Sequence, residues 1–258
     1  MLNHRARNSI NTVPKLRQRV ASNQSSSRDF DRFVLGLMDL SQEDSVLDIG
    51  PGLGKQLIPV ARQVRRVLGL DVSGEIIAAL RSQMSSPSVE LIVADMDNLA
   101  ALDLGGRFSL VYAVYSLYYS TDPARVVRTV ARLLEGPRAR FLVVAPDLGN
   151  NAGWFADLSR LYELPADVLE TSRICRHVIL PAFRDVFPQV TSSTFQAEVR
   201  FSSVDELMAY YDACVPYCRP DRRAEAREYF RERFEREGHY RISKHSLALA
   251  GRPGLSLS

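Results

Sequence analysis

A short apolar run that ends in three closely spaced glycines constrains the fold of this chain more than any other feature. Val46–Ile49 is followed by Gly50, Gly52 and Gly54, a pattern typical of a buried strand that enters a tight turn. Apolar residues then recur at helical spacing over Leu57–Val64, which predicts a helix directly after the turn. Glycine lets the backbone approach a ligand closely because it carries no Cβ, and the amide groups at a helix start favour an electron-rich ligand group.

Two further strands are predicted to end in carboxylates. Val67–Leu70 leads into Asp71, and Val89–Ala94 leads into Asp95. Asp71 lies about twenty residues beyond the glycine turn, where a ribose-binding acid is expected in units of this type. Because the carboxyl ends of parallel strands meet at the edge where open α/β folds bind ligands, the glycine turn and the two acids predict one elongated pocket with three polar anchors.

The order Asp48-x-Gly50-x-Gly52-x-Gly54, Asp71 and Asp95 resembles the class I methyltransferases that use S-adenosylmethionine, over roughly residues 41 to 147. The resemblance implies that the glycine loop lies along the methionine part of the cofactor. It also implies that Asp71 holds both ribose hydroxyls and that Asp95 reaches the adenine amino group. The cofactor-binding residues predicted in this way are Asp48, Gly50, Pro51, Gly52, Gly54, Asp71, Val72, Asp95, Met96 and Tyr115.

The same resemblance predicts the fold and its divisions. It implies an α/β, Rossmann-like, seven-stranded and mostly parallel sheet with an antiparallel last strand, helices on both faces and helical appendages. Residues 1–40 are expected to form an N-terminal arm and a leading helix. Residues 41–258 are expected to form the methyltransferase domain, with a lid at 148–172 and an insertion at 202–238.

Two other interpretations are open at this point. A dinucleotide-dependent oxidoreductase needs its third glycine three residues after the second, whereas here only Leu53 separates Gly52 from Gly54, and that pattern leaves Asp95 without a role. A non-catalytic cofactor-binding partner protein of the same fold is the second alternative. Intact glycines and both acids argue against it, because a retired site has no physical reason to keep them.

The predicted end of the fourth strand is rich in aromatic rings. The resemblance implies that this strand end faces the reacting methyl group. Tyr115, Tyr118 and Tyr119 are then either a cage for a cation or core aromatics with hydrated hydroxyls. Together with Trp154 in the lid, Tyr118 and Tyr119 are the predicted substrate-binding residues. We expect an oxygen or nitrogen acceptor on a small molecule, such as a natural product or a glycan precursor.

No catalytic base can be assigned from the sequence. A hydroxyl acceptor benefits from a base, and the candidates are His177, His239, His245 and Asp147. Cys214 and Cys218 lie one helical turn apart, but the cysteine spacing lacks the paired knuckles of zinc sites. We therefore expect reduced thiols and no metal.

The charge balance does not demand a nucleic-acid partner. The 258 residues carry 33 basic and 30 acidic side chains, a formal net charge of +3. A basic excess over residues 4–19 fits an arm that binds an anionic substrate or nucleic acid, but it is more typical of a solvated leader. Apolar runs are shorter than the eighteen or so residues that span a bilayer, and residues 1–20 lack the apolar centre of a secretion signal. These features predict a cytoplasmic enzyme without membrane or nucleic-acid partners, either a monomer or a homodimer.

Overall fold

The computed structural model describes residues 12–84, 86–214 and 217–254. The strands within these ranges are β1 (Ser45–Ile49), β2 (Arg66–Asp71), β3 (Val89–Val93), β4 (Leu110–Val114), β5 (Arg140–Pro146), β6 (Gln189–Phe201) and β7 (Tyr240–Arg252). The α-helices are α1 (Val13–Ser22), α2 (Phe30–Met38), α3 (Leu57–Ala61), α4 (Gly74–Arg81), α5 (Pro123–Leu133), α6 (Ala152–Leu158), α7 (Ala166–Ile174), α8 (Leu180–Val186), α9 (Val204–Ala213) and α10 (Arg223–Glu237).

The strands of the described ranges form one sheet in the order β3-β2-β1-β4-β5-β7-β6. β1 to β5 are parallel, and β7 runs antiparallel to both β5 and β6. This arrangement confirms the predicted fold class. The order of the parallel strands reverses between β1 and β4, so the chain leaves their carboxyl ends in opposite directions and opens the crevice in which folds of this kind bind ligands.

Two apolar layers cover the faces of the sheet. Side chains such as Leu47 and Val111 face one layer, with α5 and α8, while Val46 and Leu110 face the other, with α2, α3 and α4. Neighbouring residues of β1 and β4 point to opposite faces and both are buried, which is why these strands read as continuous apolar runs in the sequence.

A third apolar cluster lies beyond the carboxyl edge of the sheet. It joins α6, α9 and α10 to the long antiparallel pair β6 and β7 around the fully buried Trp154. We call α1, α6, α7 and α9 the helical cover. The predicted lid at 148–172 contains α6 and the start of α7, and the predicted insertion at 202–238 contains α9 and α10.

The N-terminal segment differs from expectation where it is described. The expected leading helix is α2, and the arm before it contains a further helix, α1, which packs against α9. His4, Arg5 and Arg7 of the basic arm lie outside the described residues. No helix within the described ranges is both long and apolar enough to cross a membrane.

Candidate active site

The glycine turn after β1 is held between two neighbouring strands. Gly50 N donates to Leu70 O at 2.8 Å, and Ser116 Oγ donates to Ile49 O. Gly50 has φ +77°, and a Cβ placed on it would lie 2.5 Å from Ser116 Cβ, so a larger residue does not fit this approach. Gly52 has φ +54°, and a Cβ there would meet no atom within 4 Å, which leaves open space above the turn.

Asp48 lies under this turn and is only 2% exposed. Burial raises the pKa of Asp48 to about 8, the Tyr112 hydroxyl opposes this shift, and the Asp71 carboxylate adds to it. Asp48 Oδ2 and Tyr112 Oη are both buried without a hydrogen bond of good geometry among the described residues. At neutral pH the Asp48 carboxyl is therefore protonated and supports the turn as an uncharged group.

The two predicted acids stand side by side at the ends of β2 and β3. Ala94 N donates to Asp71 O at 2.9 Å, which links the two strand ends. Asp71 Oδ1 accepts from Ser73 N at 2.9 Å, and Asp95 Oδ1 accepts from Asp97 N at the same distance. The N-cap of α4 is Ser73, so the start of that helix does not account for Asp71.

Apolar surface flanks these acids. Val72 is 44% exposed directly after Asp71, and Met96 is half-buried directly after Asp95. Burial raises the pKa of Asp71, and backbone N–H groups of Ser73, Gly52 and Val72 oppose the shift. A polar edge beside exposed apolar side chains suits a ligand with a hydroxylated ring and a flat apolar ring.

A cavity of about 790 Å³ adjoins the turn and lies over the ends of β4, β5 and β7. Its wall includes Tyr115, Tyr118 and Tyr119. Tyr115 has φ +55°, a left-handed conformation that non-glycine residues adopt at a cost and that clusters at functional sites. Its Oη lies 2.8 Å from Ser246 Oγ, and burial raises the pKa of the phenol to about 12, so Tyr115 is uncharged at neutral pH.

Trp154 does not reach this cavity, contrary to its predicted contact with substrate. Its side chain is fully buried and stacks on Phe230, with ring centroids 5.1 Å apart. The next residue, Phe155, lines the cavity instead. The difference arises because neighbouring residues of α6 point about 100° apart, and packing against α10 determines which of them faces inward.

The four predicted base candidates are all engaged or located away from the cavity wall. Asp147 is buried, and its two oxygens accept from Arg176 Nε at 2.5 Å and Nη2 at 2.7 Å. His245 Nδ1 lies 3.0 Å from Leu148 O. His239 Nδ1 lies 2.9 Å from Glu237 O. His177 lines a separate shallow groove with Glu170 and Arg173.

The cavity also has residues that the sequence analysis did not single out. They are chiefly Arg19, Asn151, Phe155, Tyr210, Tyr217 and Lys244. For Lys244 the sequence does contain a signal. In β7, alternation places Lys244 on the same face as Tyr240 and Ile242, which are buried. A lysine that follows two buried apolar residues on the same face of a strand indicates a polar site.

The three cysteines are not grouped. Cys175 packs in the core beneath the sheet, whereas Cys214 and Cys218 belong to the cluster around Trp154. Within residues 12–84, 86–214 and 217–254, no group of three or more His, Cys, Asp or Glu residues is arranged to hold a metal ion.

Comparison with known proteins shows that the glycine turn lies in a segment similar to a known domain family. Residues 46–136 match the family model described as a methyltransferase domain. A curated ubiquinone biosynthesis O-methyltransferase of Xanthomonas oryzae pv. oryzae is 32% identical over 112 residues, covering 43% of this chain and 46% of the relative. A curated 23S rRNA (uracil(1939)-C(5))-methyltransferase of Pasteurella multocida is 28% identical over 150 residues, covering 49% and 34%. These alignments thus span less than half of the length of either curated relative.

Solved structures share the fold over most of the chain. A protein from Anaeromyxobacter dehalogenans, assigned as a type II methyltransferase, superposes with a TM-score of 0.59. It is 21% identical, and the match covers 87% of this chain and 96% of that one. At this identity the likeness concerns the fold, including the regions outside residues 46–136.

Proposed function

We propose that this chain, whose residues 46–136 match a methyltransferase domain, transfers a methyl group from S-adenosylmethionine to a small molecule. The acceptor binds in the cavity beside Tyr115, and its reacting atom is an oxygen or a nitrogen. The observation that carries this proposal is the continuity of the cavity wall. The wall runs from Gln56, just after the glycine turn, to Tyr115 at the end of β4.

The residues of the crevice fit the proposed cofactor. The open space above Gly52 suits the methionine part, because backbone there can contact a ligand without an intervening side chain. Asp71 and Asp95 supply hydrogen-bond acceptors for the ribose hydroxyls and the adenine amino group, and Val72 and Met96 supply apolar contacts for the adenine ring. S-adenosylmethionine, when bound, supplies an electrophilic methyl group on a sulfonium.

The chain itself contributes binding, orientation and exclusion of water. Holding a nucleophile in line with an electrophile accounts for up to about 7 to 11 kcal/mol of barrier reduction in well-oriented systems. Tyr115 is fixed for this purpose by its hydrogen bond to Ser246. The helical cover brings Phe155 and Val168 onto the cavity wall, which limits the entry of water to the acceptor.

The first test is a calorimetric titration with S-adenosylmethionine, S-adenosylhomocysteine and NADH in parallel. We expect the two adenosyl ligands to bind and NADH not to bind. Asp71→Ala should weaken binding of the adenosyl ligands by about 1.5 to 3 kcal/mol, as for a lost hydrogen bond to a charged group. Glu43→Ala, which removes an exposed carboxylate before β1, is the matched control and should bind as the unmodified protein does.

Binding of NADH alone would move the protein to the oxidoreductases. Unchanged affinity in Asp71→Ala would reject the proposed role of that carboxylate. Binding of S-adenosylhomocysteine without methyl transfer to any acceptor in a metabolite extract would favour a non-catalytic partner protein.

A further inference from the structure

One wall of the cavity carries a lysine that pairs with no carboxylate among the residues that the structure describes. Lys244 is half-buried on β7, and its Nζ donates to Asn151 Oδ1 at 3.0 Å and to Tyr210 Oη at 2.9 Å. No carboxylate of the described residues forms an ion pair with it. An ammonium group has three donors, so two neutral acceptors leave one proton of Lys244 available to a molecule in the cavity.

A second cation lies on the same cavity. Arg19 of α1 lines the wall and is close enough to Lys244 to act on its charge. Burial lowers the pKa of Lys244 to about 8, Arg19 acts in the same direction, and Cys214 opposes it. The ammonium form therefore predominates at neutral pH, and two positive charges face one partly desolvated space.

The two carboxylates on the cavity wall, Asp29 and Asp31, have other hydrogen-bond or ion-pair partners. Asp29 caps α2 by accepting from Arg32 N at 2.9 Å. Asp31 accepts from Gln56 Nε2 at 2.8 Å and pairs with Lys55 at 3.5 Å. Neither carboxylate forms a hydrogen bond or ion pair with Lys244 in these contacts.

The position of Lys244 also limits the length of the molecule that can reach from it to the reacting end of the cavity. Ser246, which contacts Tyr115, is two residues further along β7, and residues two apart on a strand lie about 7 Å apart on the same face. The Tyr115 end adjoins the glycine turn, where the methyl group is proposed to arrive. The distance between the reacting end and the cation is thus comparable to the length of one substituted aromatic ring.

We propose that the acceptor is a carboxylate, held by Lys244 with Arg19, whose apolar or aromatic body lies among Tyr118, Tyr210 and Phe155. This inference rests on the proposed function in one respect, because the methyltransferase assignment places the reacting atom at the Tyr115 end. The anion site itself depends only on the cavity and its charges. The aromatic side chains of the wall suit the body of a compact organic acid.

The test uses pairs of probes that differ only in charge. Benzoate, 3-phenylpropanoate and octanoate are titrated beside their primary amides and beside phenyl phosphate, with and without S-adenosylhomocysteine. We expect at least one carboxylate to bind tenfold or more tightly than its amide. Lys244→Met should abolish that preference, and Lys244→Arg should retain part of it. Arg241→Met removes an exposed cation of the same strand, paired only with Glu198, and should leave the preference unchanged.

A pH series gives a readout that a structural role of Lys244 would not produce. The carboxylate probes stay ionised between about pH 6.5 and 9, whereas Lys244 loses its proton around pH 8. The groups that face Lys244 are Arg19, Tyr210 and Cys214. Burial acts to raise the pKa of Cys214, but hydrogen bonds from Cys218 and Tyr217 hold it at about 7. Its thiolate then competes for Lys244, so both titrations weaken carboxylate binding as the pH rises.

Equal binding of carboxylates and amides, binding of phenyl phosphate alone, or no binding of any carboxylate would each overturn the inference. So would a preference that survives in Lys244→Met while circular dichroism shows the variant folded. Failure of S-adenosylhomocysteine to bind is a separate result. It rejects the proposed function and leaves the carboxylate titrations to decide the anion site by themselves.

Discussion

At the scale of single residues, the backbone of the site is shaped by positions that tolerate few side chains. Gly50 and Tyr115 have positive φ and lie at the ends of adjacent strands, β1 and β4. Ser116 contacts the turn through its Oγ and also occupies the space that a Cβ on Gly50 would need. The turn and the aromatic strand end therefore form one unit, and a change at either alters both.

We predict that Gly50→Ala lowers the free energy of unfolding by about 1 to 3 kcal/mol, because alanine is strained at positive φ and its Cβ collides with Ser116. Gly36→Ala is the control. Gly36 lies inside α2 with nothing within 4 Å of a new Cβ, so the change should stabilise the protein by about 0.4 to 1 kcal/mol. Urea unfolding measures both, and equal midpoints for the two variants would contradict the assigned strain.

At the scale of elements, α6 has two different faces. Trp154 and Asp157 point into the cluster with α10, and Phe155 points to the cavity. Asp157 is buried and accepts from Tyr229 Oη at 2.7 Å, Tyr240 Oη at 2.5 Å and Arg233 Nη1 at 2.7 Å. This carboxylate ties α6 to α10 and to β7, so it helps to hold the cavity wall in place.

We predict that Asp157→Ala destabilises the region around α6 by about 3 to 5 kcal/mol, because it leaves a partly buried arginine and two hydroxyls without their partner. Asp212→Ala removes an exposed ion pair with Arg223 and should cost about 1 kcal/mol or less. The single tryptophan of the chain reports the effect by its fluorescence in urea. Similar losses in the two variants would show that Asp157 does not organise this cluster.

At the scale of the whole molecule, charge distribution and cavity shape bear on the acceptor. Many arginines of α10 and its surroundings pair with acids, such as Arg231 with Glu228 and Arg227 with Asp205. They therefore do not form the unpaired basic stripe that binds phosphate backbones. Curated relatives include enzymes named for ribosomal RNA and for ubiquinone biosynthesis, and the aromatic lining of the cavity supports the proposed small-molecule acceptor.

We predict that label from methyl-labelled S-adenosylmethionine enters the small-molecule fraction of an extract from the producing organism and not its RNA. The extract is divided into RNA, protein and metabolite fractions after incubation. Asp71→Ala, which we expect to weaken cofactor binding, should reduce the labelling. Incorporation into RNA that depends on Asp71 would contradict the small-molecule assignment.

The sequence by itself determined those features of the protein that depend on short, local stretches of chain. The glycine turn and the acids after β2 and β3 depend on short local patterns, and the mostly parallel sheet is implied by the resemblance that these patterns carry. Each buried strand needs apolar residues on both faces, and each strand end needs a turn. Asp71 and Asp95 were found in this way, because their position follows from where a strand stops.

Only the tertiary structure decided the far wall of the cavity. Arg19, Asn151, Tyr210 and Lys244 come from four distant segments, and local periodicity says nothing about which of these segments meet. It also decided that Trp154 packs inward while Phe155 faces the cavity, and that Asp147 is paired with Arg176. These outcomes depend on packing between elements, where burial and charge pairing select one of several faces that the local pattern permits.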